Sequence, residues 1–302
     1  MKKIKENRYF KAYEISDSSI AIEGMGGELC YLLKGNEQAL LIDALCGEGS
    51  LKTFVGELTE LPVTVALTHG HLDHVGGAYE YGECLIHPAD IGALYTEHTF
   101  GKPDRRQFAA SFSGAQHEDL TEDEMVPGSV MKTYPIMDGN VIKLGSKDVL
   151  VIGVPGHTRG TVVFLDIKER ILYSGDACNV NTLLDLTGAT TVEEYEESLR
   201  HLKEFQKDFD GMYGGHGLNL VPGVIVDEGL DLCAAIMERK DAAVVTPAFD
   251  GSISLVAKER IPGVCQNADG TICNIAYKED RIFKKEVWYD DTLPVPVEVK
   301  TV

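Results

Sequence analysis

Apolar positions along the chain follow two rhythms. Over residues 28–43, Leu29, Tyr31 and Leu33 recur at every second position. Leu40, Leu41 and Ile42 then form a short buried-type run that stops at Asp43. A period of two belongs to strands, and Gly35–Asn36 between the runs reads as a hairpin turn. Residues 8–16 form an earlier β-rich stretch. Over 50–60 the spacing changes to three and four, placing Leu51, Phe54, Val55 and Leu58 on one face of a helix that Pro62 ends. Val63 to Leu67 is again an apolar strand, and it runs straight into Thr68 and His69. Strand, helix, strand predicts a crossover unit and an α/β fold.

The second half repeats these signals. Strands are predicted at 141–144 and 149–154, with a hairpin from Thr161–Asp166 to Ile171–Ser174 around Lys168–Glu169. Thr191 and Glu194 have capping-box spacing, and the helix behind them aligns Val192, Tyr195, Leu199, Leu202 and Phe205. A further helix over 224–239 aligns Leu230, Cys233, Ile236 and Met237. Residues 88–130 lack a strand pattern. They mix helical stretches with Gly101–Lys102–Pro103, Arg105–Arg106 and an acidic run from Glu118 to Glu124, and read as an insertion over a surface, a candidate lid. After Lys240, Asp250–Gly251 and Asp269–Gly270 punctuate short β-type runs such as Ile253–Val256 and Ile272–Tyr277. The expected organisation is a catalytic domain over 1–240 carrying the insertion, then a β-rich appendage over 241–302.

Composition narrows the partners. The 302 residues hold 28 Lys and Arg against 48 Asp and Glu, a formal charge of −20. That balance opposes nucleic acid, whose phosphates need clustered cations, and it opposes an anionic membrane. No apolar run approaches the roughly 18 residues that span a bilayer. The start, MKKIKENRYF, is not followed by an apolar signal region, so a cytoplasmic location is expected. The seven cysteines are odd in number, widely spaced and without a CxxC, as in a protein with reduced thiols. Cys178 is the candidate for a reactive one.

The strongest chemical signal is Thr68-His69-Gly70-His71-Leu72-Asp73-His74. In an extended loop, residues two apart project the same way, so His69 and His71 can share one metal while Asp73 and His74 turn toward a neighbouring position. Imidazole and carboxylate donors suit Zn²⁺ and similar ions. Three further residues sit in Gly-rich loops at the ends of apolar runs: His157 in PGHTRG, Asp176 in SGDA and His216 in YGGHG.

In this order, HxHxDH, GHT, GDA and GHG resemble the metallo-β-lactamase superfamily across residues 28–217, and Leu41-Ile42-Asp43 with Gly47 is similar to its early strand and loop. The resemblance implies a four-layer αβ/βα sandwich, two mixed sheets face to face with helices outside. It implies two divalent metal ions, zinc foremost, with iron or manganese also suited. His69, His71 and His157 would bind the first, Asp73, His74 and His216 the second, and Asp176 would bridge them. Asp43 would orient a ligand histidine. The ligand set lacks Cys, unlike several true β-lactamases, and is closer to glyoxalase-II-like thioesterases, lactonases and phosphodiesterases. His71 stands where flavodiiron members carry Glu. Arg159 replaces a common Pro and is a candidate to face substrate. The 83 positions from His74 to His157 locate the insertion, and the C-terminal part does not resemble the glyoxalase II substrate domain.

The activity implied is hydrolysis of an ester, thioester, lactone or related bond in a small molecule by hydroxide held between the metals. Asp73 would orient it, and Asn179 would donate to the oxyanion. The rivals are a mononuclear iron persulfide dioxygenase-like enzyme and a non-catalytic metal-binding scaffold. A homodimer, with neither nucleic acid nor membrane as partner, completes the expectation. Phe100, Phe108, Phe112 and Tyr134 are candidates for an apolar pocket, while Arg105 and Arg106 read as surface charge. Asp176→Ala should remove both metal retention and hydrolytic activity, as metal analysis and a substrate screen would show.

Overall fold

Two mixed sheets stack face to face in the computed structural model, which describes residues 1–112, 114, 117–248, 251–261 and 266–285, with the backbone alone of 287–288 and 297–298. Asp250 of the expected turn and Cys265 lie outside the described residues. Sheet one runs in chain order: β1 (Lys2–Glu6), β2 (Lys11–Ser16), β3 (Ser19–Glu23), β4 (Leu29–Lys34), β5 (Ala39–Ile42), β6 (Val63–Ala66), β7 (Glu83–Ile86) and β8 (Lys132–Pro135). Strands β1 to β5 are antiparallel and β5 to β8 parallel. The next strands are β9 (Val141–Lys143), β10 (Asp148–Gly153), β11 (Val162–Asp166), β12 (Ile171–Gly175), β13 (Thr182–Leu183), β14 (Gly211–Gly214) and β15 (Val221–Pro222). Sheet two has the order β15-β14-β12-β11-β10-β9.

The central strands β3 to β5 of sheet one are buried on both faces, which explains why β4 and β5 read as nearly continuous apolar runs. Leu29, Tyr31 and Leu33 face sheet two and meet Val151, Phe164 and Tyr173. Their neighbours Cys30 and Leu32 face outward onto helix α1 (Leu51–Gly56), through Leu51, Phe54 and Val55. On the far side of sheet two, Ile152, Val163 and Leu172 pack against the later helices. The fold is the four-layer α/β sandwich.

Short helices α2 (Leu72–Val75), α3 (Glu97–Phe100) and α4 (Lys102–Ser111) come next in the chain, followed by α5 (Val192–Glu204) and α6 (Ile225–Met237). The capping box of α5 forms: Thr191 Oγ1 accepts from the Glu194 amide at 3.2 Å, and Glu194 Oε2 accepts from the Thr191 amide at 2.8 Å. Among the described residues of 88–130 there is no strand, only 3₁₀ turns with α3 and α4. Arg105 corrects the surface reading. It is fully buried, because the inner face of α4 lies against two loops, Nη1 donating to Cys46 O after β5 at 2.8 Å and Nη2 to Val126 O near the end of the insertion at 2.6 Å.

After residue 240 the chain adds β16 (Val244–Pro247), β17 (Ile253–Val256) and β18 (Ile275–Tyr277), and β18 pairs in parallel with β13. Ala257, Cys273, Ile275, Tyr277 and Ile282 share one core with α5 and α6. No helix among the described residues is long and apolar enough to cross a membrane.

One buried ion pair ties the two sheets. Lys147 Nζ donates to Asp166 Oδ2 at 2.6 Å, to Glu169 Oε1 at 3.0 Å and to Ser19 Oγ of sheet one at 3.3 Å. Lys147→Ala would leave Asp166 buried without its cation, at a cost of about 3–5 kcal/mol. Chemical denaturation should show that loss, and Lys147→Arg should recover part of it.

Candidate metal centre

Five strand ends meet at one edge of the sandwich, where the β5–β6 and β12–β14 parallel pairs and β10 all point their carboxyl ends. β5 delivers Asp43, β6 delivers His69, β10 His157, β12 Asp176 and β14 His216. Two backbone bonds join the sheets there: Val162 N donates to Thr68 O at 2.9 Å and Leu29 N to Gly215 O at 2.8 Å. The HxHxDH stretch is not extended throughout. His71 caps α2, so His69 and His71 leave the strand on one face while Asp73 and His74 lie on the first helical turn.

The seven predicted donors fall into two groups, His69, His71 and His157 in one and Asp73, His74, Asp176 and His216 in the other, with donor atoms inside each group within 4.8 Å of one another. His71 Nδ1 and His157 Nε2 are 2.9 Å apart. His216 Nε2 lies 3.2 Å from Asp73 Oδ2. Asp176 Oδ2 faces both groups, 3.7 Å from His157 Nε2, 3.7 Å from His74 Nε2 and 3.6 Å from His216 Nε2. Glycine is required at the floor of this space: a Cβ on Gly215 would come within 2.5 Å of Asp176 Oδ1 and 2.7 Å of the His74 ring, and one on Gly175 within 2.5 Å of Thr68 Oγ1.

The outer ring nitrogens are already occupied. His74 Nδ1 donates to Asp43 Oδ2 at 2.8 Å and His157 Nδ1 to Leu183 O at 2.9 Å, while His69 Nδ1 lies 3.0 Å from Thr68 Oγ1. These partners assign the tautomers and turn Nε2 inward. His69 Nε2, His74 Nε2 and His216 Nδ1 are then buried with no hydrogen-bond partner. A buried polar group left so costs about 1–3 kcal/mol, and a cation held by this donor set removes the penalty at the inward Nε2 atoms.

Electrostatics agree. Burial pushes His69 well down and His71 down to about 3, helped by the neighbouring imidazoles, so both keep a free lone pair at neutral pH. At His74 and His216 burial also opposes charge, but the facing carboxylates outweigh it and raise His216 to about 10. In the first group His69 and His71 present neutral donors, and the second group presents a field that calls for positive charge. The residues fit divalent metal ions.

Some supports escaped the sequence. Asp90, near the start of the insertion, is buried and accepts from Gly70 N at 3.0 Å and Thr158 Oγ1 at 2.7 Å through Oδ2, and from Gly160 N at 2.9 Å through Oδ1. It clamps the HxH loop to the GHT loop, yet no motif surrounds it. Thr68 is the second: its N and Oγ1 both donate to Asp43.

The expected substrate-side residues divide. Asn179 Nδ2 donates to Asp176 Oδ1 at 3.4 Å, leaving its second amide hydrogen uncommitted among these contacts. Cys178 is buried in the core against Tyr195, and burial raises its thiol to about 12, so it is no reactive thiolate. Arg159 points to the surface and pairs with Glu194 at 3.4 Å. Phe100 packs on Tyr79, and Tyr134 lines a separate cavity of about 600 Å³ with Thr59 and Tyr81. Phe108 and Phe112 do reach the centre. Their rings stack with centroids 4.1 Å apart, and Phe112 lies 5.3 Å from the His216 ring.

Comparison with known proteins agrees with this picture. The family profile described as Metallo-beta-lactamase superfamily matches residues 24–216. An acyl-coenzyme A thioesterase MBLAC2 of Bos taurus is 28% identical over 190 residues, 58% of this chain and 66% of that protein, so the chain spans just under two thirds of that relative. An atrochrysone carboxyl ACP thioesterase of Aspergillus fumigatus is 27% identical over 197 residues, 63% of this chain and 51% of that one. Among solved structures, a metallo-beta-lactamase family protein from Thermus thermophilus superposes with a TM-score of 0.50 at 22% identity, covering 76% of this chain and 80% of its own, and bears on the fold alone.

Asp43→Ala should weaken metal retention about 10–100-fold, the usual scale for losing a carboxylate behind a ligand histidine. Competition with a chromogenic chelator measures it. Asp43→Asn, which can still accept one bond, should fall between the two.

Proposed function

The chain belongs to the metallo-beta-lactamase superfamily, and from that premise we propose that it is a metal-dependent hydrolase of thioesters with an apolar acyl group. The carrying observation is the convergence of seven donors around Asp176 Oδ2 with inward imidazole nitrogens left unpaired. His69, His71 and His157 would hold one ion, Asp73, His74 and His216 another, and Asp176 would touch both; zinc leads, with iron or manganese also compatible. When bound, the ions supply Lewis acidity toward a carbonyl oxygen and acidify water.

The chain's own groups do the rest. Burial works against the Asp73 charge, but His74 and His216 hold its carboxyl down to about 2, so it stays ionised and can orient a water by accepting its hydrogen. The second amide hydrogen of Asn179 would donate to the developing oxyanion. A thiolate leaves without prior protonation, because thiols ionise near pH 8.5, at about the free-cysteine value. The stacked Phe108 and half-exposed Phe112 offer an acyl chain an apolar platform beside His216. Two relatives named as thioesterases support the same bond class.

The test is a panel of acetyl to long-chain acyl thioesters, with a lactone, a β-lactam and a phosphodiester alongside. Thiol release should stop on chelation and return with Zn²⁺. Phe112→Ala should raise KM for long acyl chains about tenfold, the order expected from losing one aromatic contact surface, and leave the acetyl thioester unchanged. Oxygen uptake with one iron per chain in place of thiol release overturns the reading, as does hydrolysis confined to another bond.

A further inference from the structure

Two fully buried carboxylates lie next to the centre described above and take no part in it. Glu28 precedes β4, and Glu48 sits in the loop between β5 and α1. Each spends one oxygen on a backbone amide: Glu28 Oε1 accepts from Cys46 N at 3.3 Å, and Glu48 Oε1 from Met25 N at 2.9 Å. The other oxygen of each, Oε2, is buried with no hydrogen-bond partner. Cys46 closes the triangle, its sulfur and one oxygen from each carboxylate lying within 4.8 Å of one another.

Eight buried side-chain nitrogens and oxygens among the described residues lack a partner. Two are inward imidazole nitrogens of the His/Asp centre, His69 Nε2 and His74 Nε2, and two are these carboxylate oxygens; the other four are His216 Nδ1, Asp185 Oδ1 and the hydroxyls of Tyr81 and Tyr173. Two carboxylates taken out of water without a cation are expensive, and among the described residues no Lys or Arg is ion-paired to either. The guanidinium of Arg105, which feels the charge of Glu48, is itself buried and gives its hydrogen bonds to the carbonyls of Gly101, Cys46 and Val126. The chain also makes room here. A Cβ on Gly24 would come within 2.4 Å of Glu28 Oε1 and 2.6 Å of Glu48 Oε1, and one on Gly26 within 2.7 Å of Glu28 Oε2.

We propose that Glu28, Cys46 and Glu48 form a further metal site, structural in role, that takes zinc or another divalent ion with affinity for thiolate. The donor set decides the class. A thiolate with two carboxylates selects Zn²⁺ and similar borderline ions over Mg²⁺ or Ca²⁺. Two carboxylates and a thiolate carry three negative charges, which a divalent ion and the neighbouring Arg105 together neutralise. That also gives the buried guanidinium its counter-charge. The ion would fasten three segments behind the His/Asp centre: the Glu28 backbone, which bridges His216, the loop after β5, and α4 of the insertion through Arg105.

Cobalt reports on this site selectively, since the His/Asp donors include no sulfur. The full chain reconstituted with Co²⁺ should show a near-ultraviolet thiolate-to-cobalt charge-transfer band. Cys46→Ser should lose that band and hold one metal equivalent fewer, while His71→Ala should keep it. Glu48→Gln, which preserves shape, should lose the same equivalent and covers the case in which Cys46→Ser fails to fold. Visible cobalt bands without the thiolate band would overturn the proposal. So would equal metal content in wild type and Glu48→Gln, leaving the two carboxyls to share a proton instead.

Discussion

The Asp43 carboxylate is the fixed point of the active edge. It sits one residue past β5 with its backbone in the left-handed region (φ 62°), a conformation that Asp adopts more readily than most residues but still at a cost. Its oxygens accept from Thr68 N, Thr68 Oγ1 and His74 Nδ1. Through Thr68 the same carboxylate reaches His69, whose ring lies 4.1 Å from that of His74. One anion on sheet one therefore sets the ring orientation of two donors that belong to different groups. Asp90 does the matching work for the backbone, holding the HxH and GHT loops in register across the two sheets.

Around this anchor the electrostatics follow one rule: carboxylates are gathered where burial would otherwise expel them. Asp73 and Asp176 hold His74 and His216 toward the charged state, while burial and the neighbouring imidazoles keep His69 and His71 neutral. Divalent cations held by these donors would offset the gathered carboxylate charge. This changes the meaning of the net charge of −20. Part of it belongs to groups that face one another in the interior, where they attract cations. It is not a uniform skin that only repels polyanions.

Much of the fold could be read from residue patterns. The β4–β5 hairpin, the crossover into β6, the β11–β12 hairpin and the two long helices all appear at or within a few residues of their predicted bounds, because each buries a periodic apolar face. β1 and β16 escaped for the opposite reason. β1 is a largely exposed edge strand, KKIKE, and its pairing partner specifies it more than its own side chains do. Arg105 misled in the same way. Composition assigns arginine to the surface, but helix α4 turns Arg105 onto the carbonyls of two neighbouring loops.

The candidate donors and their order are legible in the chain alone, since HxHxDH, GHT, GDA and GHG are local strings whose chemistry depends on residue type. Whether those strings meet, and through which ring nitrogen each histidine points inward, was decided by tertiary structure. Sheet pairing brings five strand ends to one edge, and Asp43, Thr68 and Leu183 O occupy the outer nitrogens. The same holds for Asp90, for Phe108 and Phe112 over His216, and for Glu28, Cys46 and Glu48. Their partners lie far away in the chain, so no window of sequence contains the interaction that gives them their role.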